Sequence, residues 1–230
     1  MKLFLFDIDQ TLISTGGAGL RALNRACEKL FLMENAMDGI SPHGKTDPAI
    51  IREILLARVG HDSNIETDLH SILESYLFFL RDEVRLSTTY RVLPGILDVL
   101  SAISTRSDMI LGLATGNIEL GARIKLERGD LNHYFKFGGF GSDSESRTGL
   151  VRVAAEAGCK ACGGPIQPED VFVIGDTPRD IEAGKEAGFR TVGVATGTYS
   201  VDQLRACGAD IAVSDFQQDR DYFFRSTFIE

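Results

Sequence analysis

Short, unbroken apolar runs alternate with helix-period stretches along most of the chain. Leu3–Phe6 is wholly apolar and stops at Asp7, the pattern of a strand covered on both faces of a parallel sheet. Comparable runs occupy Met109–Ala114, Val171–Ile174, Thr191–Val194 and, more weakly, Ile211–Val213. Between them the spacing predicts helices over 94–104, 118–128, 147–158, 179–188 and 201–207. Strands alternating with helices predict an α/β fold, a doubly wound parallel sheet with helices on both faces.

The stretch from about 17 to 86 breaks that rhythm. It reads as helix after helix, Ala18 to Leu32, Pro48 to Val59 and Glu66 to Arg85, with no strand among them. Asp47 is the expected cap of the middle helix and Pro48 its first residue. Ile50, Ile51, Ile54 and Leu55 then recur at helical spacing. The expected organisation is a core built from residues 1–15 and 88–230, with a small helical domain, 16–87, inserted after the first strand. Leu93-Pro94-Gly95 marks the return to the core. From Phe216 onward the chain is polar and aromatic without a period, and is expected to pack on the core or at its edge.

Composition narrows the class. At 230 residues and 43% hydrophobic, the chain is long enough for a substantial core. No run reaches the roughly 18 apolar residues of a membrane span, and the opening apolar run is too short for a secretory leader. A cytoplasmic protein is expected. Thirty-three acidic against 24 basic residues give a net charge of −9, which repels nucleic-acid backbones in the absence of a basic stripe, so neither a nucleic acid nor a membrane is expected as partner. The expected partner is a small molecule, and the expected assembly a monomer or homodimer. Cys27, Cys159, Cys162 and Cys207 are too few and too scattered for a disulfide scaffold. Cys159 and Cys162 have the spacing of half a zinc or redox site, but no second such pair exists, and Gly163-Gly164-Pro165 predicts a loop before the strand at Val171, so a metal or redox role is not expected.

Three apolar runs end in small polar or acidic residues: Asp7-Ile8-Asp9-Gln10-Thr11, Thr115-Gly116-Asn117 and Gly175-Asp176-Thr177-Pro178-Arg179-Asp180. In open parallel sheets ligands bind beyond the carboxyl ends of the strands, so folding brings these tips to one rim. Four aspartates gathered there raise one another's pKa unless a cation intervenes. Oxygen ligands without nearby His or Cys suit Mg²⁺. Thr115, with its hydroxyl and backbone N–H, is a candidate donor to a phosphate at the following helix. Two of these segments also have an ordinary reading: a turn for Asp7-Ile8-Asp9 and a helix cap for Thr115-Gly116-Asn117.

Together and in this order the three segments resemble the DxDx[TV] first motif, the second motif and the GDxxxD fourth motif of the haloacid dehalogenase superfamily, and the helical insert resembles that family's C1-type cap. The resemblance implies an Mg²⁺-dependent phosphatase acting on a small phosphorylated metabolite. Asp7 would be the nucleophile, and Asp9 the acid and base. Asp7, Asp176 and the Asp9 carbonyl would bind metal, with Asp180 bracing them or reaching the ion through water. Thr115, Gly116 and Asn117 would bind the phosphoryl group. The third motif, a Lys or Arg, lacks its frequent Lys-Pro form. Arg147 is the candidate, with Lys125 and Arg123 as rivals. Gln10 stands where Gly or Asn is frequent and is expected to tune the turn. His43-Gly44-Lys45-Thr46-Asp47 resembles a cap segment of phosphoglycolate-phosphatase-like members, so His43 and Lys45 are candidate substrate contacts. The alternatives are haloacid dehalogenation, a phosphomutase, or a non-catalytic binding protein.

Overall fold

The computed structural model describes residues 1–58 and 64–228. The chain runs β1 (Lys2–Phe6), β2 (Ile13–Ser14), α1 (Ala18–Phe31), α2 (Asp47–Arg58), α3 (Ile65–Leu86), β3 (Arg91–Val92), α4 (Ile96–Ser104), β4 (Met109–Ala114), α5 (Glu119–Glu127) and β5 (Gly138–Gly139). It continues through α6 (Arg147–Cys162), β6 (Val171–Gly175), α7 (Pro178–Ala187), β7 (Arg190–Val194), α8 (Val201–Ala206), β8 (Ile211–Val213) and α9 (Arg220–Phe228). The expected end of the second insert helix at Val59 lies outside the described residues.

Six parallel strands form the main sheet in the order β5-β4-β1-β6-β7-β8. The α/β class and doubly wound sheet expected from the apolar runs are therefore present. Alternation along β1 sends Phe4 and Phe6 to one face and Leu3 and Leu5 to the other. The first face packs on α4, α5 and α9 through Val99, Leu100, Leu126 and Phe223. The second packs on α6 and α7 through Leu150, Val151, Ala154 and Ala183. Register does further work here. Phe4 lies opposite Phe172, and their rings stack with centroids 5.0 Å apart, an offset aromatic contact adding about 1 kcal/mol beyond burial.

The aperiodic tail resolves into α9. Phe216 and Phe223 are buried, and Phe223 and Phe228 meet Phe4 edge-on. Lys2 Nζ donates to the Thr227 carbonyl at 2.8 Å, tying β1 to this helix. Cys159 and Cys162 occupy the last turn of α6, which runs four residues past its expected end. The Cys162 thiol donates to the Cys159 and Gly164 carbonyls, and the pair is not a disulfide.

Helices α1–α3 carry their own apolar cluster, which includes Leu23, Ile51, Ile54, Ile72 and Leu80. The two segments joining them to the sheet pair antiparallel as β2 and β3, Ile13 opposite Val92 and Ser14 opposite Arg91. Thr46, rather than the expected Asp47, caps α2: its hydroxyl accepts the Ala49 N–H at 3.3 Å. That frees the Asp47 carboxylate to accept the Ile118 N–H at the start of α5, at 2.9 Å. Among the described residues no helix is long and apolar enough to cross a membrane.

Gln10 adopts a left-handed backbone, φ 59°. That conformation costs a side-chain-bearing residue about 1 kcal/mol and glycine almost nothing, which gives the turn a physical reason to favour Gly or Asn. Replacing Gln10 with Gly should raise the melting temperature by about 2 °C. A lower melting temperature would mean that the Gln10 Nε2–Ser14 Oγ hydrogen bond, 3.2 Å long, outweighs the backbone strain.

Candidate active site

Because β1 lies between β4 and β6, its end and theirs are adjacent. Asp7 follows β1, Thr115 follows β4 and Asp176 follows β6, so strand order alone delivers the three segments to one rim. The Asp7 N–H donates to the Ile174 carbonyl at 2.8 Å, which extends the ladder by one residue and fixes the direction of the side chain. Asp7 is 7% exposed. One carboxylate oxygen from each of Asp7, Asp176 and Asp180 lies within 4.8 Å of the others.

Arg147, the first residue of α6, reaches into this cluster. Its Nη2 stands 3.0 Å from Asp7 Oδ1 and also bonds Asp180 Oδ1, to which Nε donates at 3.0 Å. The other Asp180 oxygen accepts from Thr177 N–H at 3.0 Å and Thr177 Oγ1 at 2.7 Å, forming the capping box of α7. Asp180 is thus committed to Arg147 and its own helix start. Asp176 has no ion-pair partner among the described residues. Burial first, then the charges of Asp180, Asp7 and Asp9, push its carboxyl up to about 9. Burial also raises Asp7 to about 6, against the pull of Arg147. Without a cation, Asp176 therefore stays protonated at neutral pH, and Asp7 ionises only at a cost.

Asp9 is held separately. Lys125 Nζ donates to Asp9 Oδ2 at 2.6 Å, and Asn117 Nδ2 donates to the same oxygen at 2.9 Å. Lys125 also bonds Asn117 Oδ1 at 2.5 Å. Burial alone would lower the Lys125 pKa, but the charges of Asp9, Tyr76 and Asp47 outweigh it and hold the ammonium protonated. The three third-motif candidates therefore divide: Arg147 meets Asp7, Lys125 meets Asp9, and Arg123 donates to the Phe135 carbonyl at 2.7 Å, away from both. The grip of Lys125 on Asp9 went unread in the sequence, because the two residues stand 116 positions apart.

Thr115 is fully buried, and its hydroxyl accepts from Asn117 Nδ2 at 2.9 Å. The expected donation of its backbone N–H to a phosphate is corrected by the structure. That N–H is spent on the Gly139 carbonyl at 3.0 Å, because β5, two glycines without a side-chain pattern, extends the ladder there. Among the described residues the N–H groups of Ile8, Asp9 and Gly116 make no hydrogen bond, and these are the available anion donors.

Over this rim lies the loop His43–Asp47. The Asp47 N–H donates to the Gly116 carbonyl at 2.8 Å. A Cβ at Gly116 would stand 2.2 Å from the Lys45 carbonyl oxygen, so only glycine permits this approach. A cavity of about 270 Å³ is enclosed between them, lined by Asp7, Asp9, Gly116, Asn117, Arg147 and Asp176 on one side. His43, Lys45, Asp47, Leu23, Ile50 and Tyr76 line the other. His43 is exposed, and Lys45 is ion-paired to Glu53, nearly two turns into α2. Burial, offset in part by Lys125, raises Asp47 to about 6.

Residues 4–194 match the family model described as haloacid dehalogenase-like hydrolase. The chain is 26% identical over 195 residues to a phosphoglycolate phosphatase of Aquifex aeolicus, covering 83% of each. It is 24% identical over 197 residues to phosphoglycolate phosphatase 1 of Pseudomonas aeruginosa, covering 85% of this chain and 70% of that one. In fold it is similar to the crystal structure of a hydrolase from Pseudomonas syringae, with a TM-score of 0.72 and 19% identity, over 97% of this chain and 98% of that one. A model spanning nearly the whole sheet, over a rim of buried aspartates, settles the assignment: this chain belongs to the haloacid dehalogenase-like hydrolase family.

Proposed function

We propose that the chain is a magnesium-dependent phosphatase of small phosphomonoesters, working through an aspartyl-phosphate on Asp7. The observation that supports this best is the buried cluster of Asp7, Asp176 and Asp180, whose carboxylate oxygens lie within 4.8 Å of one another. An all-carboxylate donor set with one member, Asp176, left unpaired fits a hard divalent cation. Asp7, Asp176 and the Asp9 carbonyl would hold Mg²⁺, with Asp180 behind them. Bound there, the ion would neutralise the carboxylates and polarise the phosphoryl oxygens.

The chain's own residues supply the rest. Arg147 fixes one oxygen of Asp7 and sets a positive charge beside the incoming phosphoryl group. Asp7 attacks phosphorus, and the bond to the alcohol oxygen breaks. Asp9, held by Lys125 and Asn117 and 39% exposed in its side chain, gives that oxygen a proton and later takes one from the hydrolytic water. Thr115 and the free N–H groups of Ile8, Asp9 and Gly116 bind phosphoryl oxygens. Helices α1–α3 form a cap domain, 16–87, over the core of 1–15 and 88–230. Their separate apolar cluster and the two-stranded β2–β3 link support this division. Cap closure excludes bulk water, and His43 and Lys45 stand at the substrate's leaving-group side.

p-Nitrophenyl phosphate provides the direct test. Release of p-nitrophenol should require Mg²⁺ and stop on chelation; an equal rate in EDTA, or chloride release from a 2-haloacid without phosphatase activity, would overturn the reading.

A second expectation concerns stability. With Asp7 and Asp176 raised to about 6 and about 9, the metal-free folded state binds more protons than the unfolded chain between about pH 4 and pH 9. Stability from these groups is therefore full at the acid end and is lost as pH rises. Mg²⁺ removes that loss. The rise in melting temperature on saturation with Mg²⁺ should be several degrees greater at about pH 8.5 than at about pH 6. A rise independent of pH would contradict a shared-carboxylate site.

A further inference from the structure

The half of the cavity away from Asp7 is built by the insert, and its chemistry selects among phosphomonoesters. Leu20, Leu23, Met37, Ile50 and Tyr76 form its wall. Leu23, Met37, Ile50 and Tyr76 belong to the apolar cluster of α1–α3 and are buried. Leu20, 45% exposed, stands at the mouth.

The charges around this wall are already balanced within the protein. Three Lys or Arg residues line the cavity among those described, and each is taken. Arg147 is held by Asp7 and Asp180. Lys125 is held by Asp9 and Asn117, and Lys45 by Glu53. Asp9 and Asp47 add carboxylates to the same space. His43, in the same loop, is exposed.

A leaving group bearing a carboxylate would enter beside Asp9 and Asp47 with no unclaimed lysine or arginine to meet it. Freeing Arg147 strands the buried Asp7 and Asp180, which costs more than the new contact returns, and turning Lys45 to the ligand only exchanges one carboxylate, that of Glu53, for another. An uncharged alcohol breaks no pair, and its apolar surface gains burial against the leucine and isoleucine side chains.

Resting on the phosphatase reading above, we propose that the site is specific for phosphomonoesters of uncharged, largely apolar alcohols and rejects carboxylate-bearing esters such as 2-phosphoglycolate. The named activity of the phosphoglycolate phosphatase relatives thus does not carry over to this chain. The specificity-determining residues are the wall side chains of α1 and α2, together with the Lys45–Glu53 pair that withdraws the loop's cation.

Three substrates test this with the intact protein and Mg²⁺: 2-phosphoglycolate, 2-hydroxyethyl phosphate, in which a hydroxymethyl group replaces the carboxylate, and butyl phosphate. Expected values of kcat/KM for 2-hydroxyethyl phosphate exceed those for 2-phosphoglycolate by about tenfold or more, with butyl phosphate at least equal to the former. Leu20→Arg, a change at an exposed position that leaves the core intact, should bring an unpaired guanidinium to the mouth and narrow the gap several-fold. Faster turnover of 2-phosphoglycolate than of its neutral counterpart overturns the inference while leaving a phosphatase in place. An unchanged ratio in folded Leu20→Arg overturns the role given to the wall. Failure to hydrolyse any of the three overturns the inference, and failure on p-nitrophenyl phosphate as well overturns the phosphatase reading itself.

Discussion

Asp7→Asn is expected to lose turnover by about 10³-fold or more while melting at a higher temperature than the wild type in the absence of metal. The two effects have one origin. The carboxylate is the nucleophile, so its amide isostere cannot form the covalent intermediate. Yet the folded environment disfavours that charge, since burial and the neighbouring aspartates lift Asp7 to about 6 even with Arg147 beside it. Replacing it with a neutral group relieves a penalty on the order of 3 kcal/mol near pH 8, where the wild-type side chain must ionise. The gain should shrink as pH falls below about 6, because the wild-type carboxyl is then protonated too. Thermal melts in EDTA at the two pH values, with phosphate release in Mg²⁺, read both halves. Comparable activity in the variant rules out Asp7 as nucleophile, and a lower melting temperature rules out the electrostatic strain.

Arg147→Met should fail in the opposite sense, losing both activity and metal-free stability. Its guanidinium bridges Asp7 and Asp180, and removing it leaves two buried carboxylates facing Asp176 without a cation. Breaking a buried pair from one side costs about 3–5 kcal/mol, part of which Mg²⁺ should restore. Turnover should fall about 10²-fold or more at saturating Mg²⁺, the range for a lost transition-state charge. Arg147→Lys should recover the charge but not the fork that bonds Asp180 through Nε and Nη2 together, and so rank between them. Wild-type turnover in Arg147→Met would shift the charge-neutralising role to Lys125.

What could be read from the sequence was whatever a side-chain pattern encodes. Leu3–Phe6 and Val171–Ile174 are apolar on both faces and fell out as central strands. Asp7, Thr115 and Asp176 were legible because each ends such a run. Gly138–Gly139 has no side chains to alternate, so β5 was missed, and with it the partner that consumes the Thr115 N–H. Strands β2 and β3, two residues each, are too short for a period. The phenylalanines of α9 were visible but not their period, since that helix is set by its contacts with Phe4 and Phe216 more than by an amphipathic stripe. Lys125 and Arg147 could both be named as cations, but which aspartate each meets depends on tertiary distance, and no local pattern carries that.

The central position of β1 also has a bearing on how the protein is made. Leu3 and Phe4 must pair with Ile110 and Leu111 on one side and Val171 and Phe172 on the other. At ribosomal speeds the second set is made roughly ten to thirty seconds after β1 itself. During that interval a greasy pentapeptide waits without its neighbours, sticky toward other nascent chains. The residue that becomes the attacking group thus hangs at the end of the segment most in need of a chaperone's shelter, and crowded, fast expression should cost soluble yield before it costs activity per folded molecule.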